Sequence, residues 1–65
     1  MRLEIFVESV LESIRTSIVD FRNVGVSREL VWYHIGKLET LHSLELIEEA
    51  VYAELKLELE SFLYS

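Results

Sequence analysis

Val7, Leu11, Ile14, Ile18 and Phe21 recur at steps of four, three, four and three, the period that stacks side chains on one side of an α-helix. The spacing predicts a helix from about Leu3 to Arg22. Leu3 and Val10 widen its apolar stripe, while Glu8, Glu12, Arg15 and Thr16 lie away from it. Such a stripe has to be covered by another surface. Ile5 and Val19 fall on the far side of the same helix, where a second neighbour has room to pack.

The pattern breaks at Arg22-Asn23-Val24-Gly25-Val26, which contains the two residue types that most easily adopt positive φ. Ser27 then supplies a helix cap, and Val26 stands five residues before Val31, the spacing of a hydrophobic staple. A second helix is therefore expected from Arg28, with Val31, Ile35 and Leu38 on one face and His34 and His42 beside it. Gly36 weakens it by roughly 1 kcal/mol relative to alanine. No proline stops it. The helix is expected to run on to about Leu63, or to break once near His42-Ser43 with Ser43 capping a third helix.

Residues 51–60 carry two periods at once. Val51, Ala53, Leu55, Leu57 and Leu59 alternate with Tyr52, Glu54, Lys56, Glu58 and Glu60 as in a half-buried strand. As a helix, the region instead shows Leu44, Ile47, Val51, Leu55 and Phe62 on one stripe, with Leu46, Ala50 and Leu57 on another. Leucine, glutamate, lysine and alanine are good helix formers and poor strand formers, so composition decides for helix.

The 65 residues bound the chain to a single helical domain, 1–65, and half of them are apolar. A chain this short closes only a thin core, and with no cysteine it has neither a disulfide framework nor a thiolate metal site. Association is the remaining support. If continuous, the second helix would span up to ~54 Å against ~30 Å for the first, and its overhanging end would need a partner. A homodimer that completes a bundle supplies one most simply. The lack of cysteine suits a reducing cytoplasm. Carboxylates interrupt Met1 to Glu8 where an export signal needs an apolar run, and no apolar stretch is long enough for a bilayer.

Charge is unevenly distributed within a formal net of −6. Arg15 to Lys37 holds four cations against Asp20 and Glu29, whereas from Leu38 onward Lys56 alone faces seven glutamates. The acidic balance argues against non-specific binding to nucleic acid and against the basic faces that interfacial membrane helices carry. The one basic stretch coincides with a motif. Residues 23–48 read NVGVSRELVWYHIGKLETLHSLELIE and resemble the turn and recognition helix of winged helix-turn-helix regulators. That resemblance implies a dimeric DNA-binding transcription regulator using residues around 23–38. Ser27, Arg28, Trp32, Tyr33 and Lys37 would then face DNA, and Val31, Ile35 and Leu38 would hold the helix to the core. The likeness covers under half of the chain, and no glycine, asparagine, aspartate or proline between Ser43 and Ser65 turns a wing.

Glu39 and His42 have the Glu-x-x-His spacing used by di-iron bundles. Glu8 and Glu12, which would have to complete such a site, point away from the first helix's stripe, so no metal or other cofactor is expected. His34 and His42 stand about 12 Å apart along a helix and cannot share an ion. Ser9, Ser13 and Ser17 form a row with no paired base and read as helix surface. Trp32 and Tyr33 flank the second helix's stripe, where exposed aromatics anchor protein interfaces. The chain is thus expected to be an all-α helical hairpin, or three helices, completed by homodimerisation. It is expected to be a small acidic, non-enzymatic, cytoplasmic protein that acts as an adaptor, regulator or inhibitor through protein–protein contact.

Overall fold

A computed structural model describes residues 2–64, in which three α-helices, α1 (Leu3–Asn23), α2 (Arg28–Ser43) and α3 (Glu49–Ser61), form an all-α fold. No strand occurs among the described residues. The anticipated break in the second helix is present, so the architecture is the three-helix form of the expected fold. Side-chain pairings give the topology. Lys37 meets Ser13 across α1 and α2, so those helices are antiparallel. Tyr52 meets Glu39 and Glu49 meets His42 across α2 and α3, a second antiparallel pair. Arg22 meets Glu58, with α3 running parallel to α1. The result is an up-down-up bundle.

All five residues of the α1 stripe are buried, against Val31, Ile35, Leu38 and Leu41 of α2 and Leu55, Leu59 and Leu63 at and beyond α3. Ile14, Val31, Leu38 and Leu59 have 0% exposure and form the centre. Phe21 closes one end edge-on to Phe62, with ring centroids 5.4 Å apart. The α1–α2 turn follows its sequence: Gly25 takes φ +147°, and the Ser27 hydroxyl accepts the Leu30 amide at 3.4 Å.

The α2–α3 connection does not follow the expected signal. Ser43 ends α2 instead of capping α3, whose N-cap is Glu48. The chain turns because Glu45 adopts φ +59°. The Glu45 amide donates to the His42 carbonyl and the Leu46 amide to the Leu41 carbonyl, both at 3.0 Å. This is the paired bonding that ends helices at a left-handed residue, usually glycine. Leu46 and Ile47 then pack onto the core, fixing the entry to α3 and offsetting the strained backbone. Because α3 folds back, the molecule is 34 Å long, and the overhang that an unbroken second helix would create is absent.

Candidate interaction surface

The sequence-predicted residues all belong to α2 or its cap, but the bundle sends them in different directions. Ser27 is engaged as the helix cap. At the next residue the Arg28 guanidinium donates to the Leu63 carbonyl at 3.3 Å, linking the start of α2 to the end of α3, where unpaired carbonyls favour a cation. Lys37 leaves α2 on the opposite flank. Its ammonium donates to the Ser13 hydroxyl of α1 at 3.3 Å and sits 4.9 Å from the centre of the Tyr33 ring. Tyr33 and Lys37 are thus brought together, while Arg28 is drawn away from them.

Trp32 and Tyr33 remain 54% and 59% exposed after the core has closed. Gly36, also exposed, lies one turn further along α2, and a Cβ built on it meets nothing within 4 Å. The outer side of α2 therefore offers two adjacent aromatics and, beside them, a stretch of bare backbone. Beneath Tyr33, His34 is buried, its ring edge-on to Phe21 and Tyr33. Its Nδ1 has no hydrogen-bond partner. Burial first, and the nearby Lys37 charge second, hold the imidazole below its ordinary pKa, favouring the neutral ring.

Glu39 and His42 do not converge as a ligand pair. Glu39 accepts from the Tyr52 hydroxyl and the Lys56 ammonium, both at 2.8 Å. His42 stacks on the Tyr52 ring at 3.7 Å and places Nε2 2.6 Å from a Glu49 oxygen. Hydrogen bonding from Lys56, then from Tyr52, lowers the Glu39 carboxyl below the usual range, and the bond to Glu39 raises the Lys56 ammonium above its own. These residues form a polar clasp along the α2–α3 seam. No cluster of three or more His, Cys, Asp or Glu residues able to hold a metal occurs among the described residues. Sequence spacing missed the clasp because its partners come from two helices whose register only the turn at Glu45 defines.

Two further features bear on function. No helix among the described residues is long and apolar enough to cross a membrane. Several large apolar side chains stay exposed on the finished bundle, including Ile5, Phe6, Leu30, Leu44 and Leu57. No family model, curated protein or solved structure matches the chain.

Proposed function

We propose that this chain is a small acidic, non-enzymatic helical protein that works in the cytoplasm through protein–protein contact, as an adaptor, regulator or inhibitor, and that it does so as a homodimer. The observation that carries this reading is the exposure of Trp32 and Tyr33 beside Gly36 on α2. These aromatics are not needed to close the core. Large, rigid aromatic side chains contribute much contact area at low entropic cost, which suits them to anchoring a partner. The glycine beside them lets another backbone approach closely. The acidic remainder of the surface favours a partner with basic character around its contact patch.

Capture from source cells with the wild-type chain and with Trp32→Ala/Tyr33→Ala tests the reading. A partner held by the wild type, confirmed with the purified pair by calorimetry, should bind the double variant on the order of 100-fold more weakly. Both side chains are more than half exposed, so the fold should lose less than about 1 kcal/mol. Equal binding by both proteins would refute the anchoring role. The competing reading, a DNA-binding regulator, needs Arg28 and Lys37 for phosphate, and each already has an intramolecular partner. A salt-sensitive shift of duplex DNA that disappears when both are replaced would overturn the adaptor reading in its favour.

A further inference from the structure

We infer that the face shared by α1 and α2 seats a second copy of this chain, an inference that deepens the homodimer part of the preceding reading and rests on it. Phe6, Val10, Ser13 and Ser17 on α1 are spaced by four, three and four, as are Tyr33, Lys37, Thr40 and Leu44 on α2. The antiparallel register fixed by Lys37 and Ser13 puts Phe6 level with Leu44, Val10 with Thr40 and Ser17 with Tyr33. Two parallel rows therefore run along one side of the molecule. At the Phe6 end they enclose a groove of about 360 Å³ whose lining, from Phe6, Val10, Lys37, Thr40, Leu41 and Leu44, is almost wholly carbon. No residue of α3 lines it. Phe6 and Leu44 stand at its rim, 44% and 62% exposed.

Charge identifies the occupant. With a net of −6, two copies repel over most of their surfaces and can meet only where carboxylates are scarce. The two rows contain none: their one charged group is Lys37, and the first carboxylates along them are Asp20, beyond Ser17 on α1, and Glu29, one turn before Tyr33 on α2, both at the end away from the groove. A basic partner gains nothing from such a face and is better served by the glutamates of α3. A second copy presents the same charge-poor surface about a twofold axis, placing its own Phe6 and Leu44 against the groove and building four helices at the contact. The face is ~18 Å long and no broader than the molecule's 18–20 Å. A face of that size lies below the range of stable interfaces, so a weak, transient dimer with a high-micromolar dissociation constant is expected.

Sedimentation equilibrium of the full chain, from about 1 μM to about 1 mM, tests the assignment with the wild type, Phe6→Glu/Leu44→Glu and Leu57→Glu. The wild type should dimerise, and more tightly as salt screens the repulsion between copies. Phe6→Glu/Leu44→Glu should weaken the dimer on the order of 100-fold at unchanged helix content, because it buries carboxylates in the contact. Leu57→Glu, on the outer side of α3 where Leu57 is 71% exposed, should have no effect. If the double glutamate variant loses helix content, Phe6→Ser/Leu44→Ser takes its place with the same expectation. A monomer at every concentration overturns both the homodimer and its location. A dimer that survives the Phe6 and Leu44 changes, fails in Leu57→Glu or weakens with salt overturns the location alone.

Discussion

Replacing Glu45 with glycine should stabilise the bundle. The residue holds φ at +59°, a conformation that costs an L-amino acid about 1–2 kcal/mol because Cβ crowds its own carbonyl. Glycine removes the crowding but raises the entropy of the unfolded chain, an offset of about 0.5–1 kcal/mol. The net expected gain is therefore about 0.7 kcal/mol, between limits of about 0 and 1.5 kcal/mol. Both bonds that define the turn, Glu45 amide to His42 carbonyl and Leu46 amide to Leu41 carbonyl, involve backbone alone and survive the change. In a domain of this size a gain of 1 kcal/mol raises Tm by roughly 4–8 °C. Urea denaturation at neutral pH reads the difference, with Glu45→Ala and Glu45→Gln as controls. Alanine keeps the strain and glutamine removes only the charge, so neither should reproduce the gain. If glycine brings none, the positive φ costs no more than the chain entropy that glycine adds, and the expected gain is refuted; if glutamine matches it, relief of acidic repulsion is the cause and the backbone argument fails.

Other outcomes follow from single residues. Gly36→Ala should gain up to about 1 kcal/mol in urea denaturation, since the helix benefits and the added Cβ meets no neighbour; a loss would mean that the position is already crowded in solution. His34 should make the fold acid-sensitive: with its folded pKa held below the ordinary 6.5, the unfolded state binds protons first. Stability is then fully present above 6.5 and declines as pH falls from there through the lowered folded value. His34→Leu should flatten that decline, measured by urea midpoints between about pH 7 and 5.5, and an unchanged slope would assign it to another group. The loss that Glu39 contributes lies lower, beginning below its ordinary value of 4.5, so the two are separable.

The sequence showed most clearly the elements whose signals are local. The α1 stripe, the Gly25 turn, the Ser27 cap and the start of α2 at Arg28 are each decided within a few residues, and all appear where expected. For residues 51–60, helix propensity rather than alternation was the right guide, because Leu55 and Leu59 pack inward while Leu57 is left outside. The end of α2 was hidden by its chemistry. A glutamate stands where glycine normally marks the stop, and the compensating burial of Leu46 and Ile47 depends on contacts with a distant helix. The α1–α2 face was only half visible for the same reason. The serine row in α1 reads as solvated surface until the register places Lys37 against Ser13 and Phe6 level with Leu44.

Folding back α3 also changes what a second copy would do. With an overhanging helix, the partner would complete the core, and a separated chain would leave the α1 stripe in water. Here Val7, Leu11, Ile14, Ile18 and Phe21 are covered within one chain, so the core closes without a second copy and dilution would separate folding from any association. Exposed Phe6, Leu44, Trp32 and Tyr33 are then not unfinished core but surface whose cost in solubility is tolerated. Their locations differ: Phe6 and Leu44 flank a groove between helices, whereas Trp32 stands beside an open glycine on the outer side of α2. On the proposed arrangement, a contact that conceals the first pair also takes in Tyr33, which shares the α2 row with Leu44, and would leave only Trp32 free for a different partner.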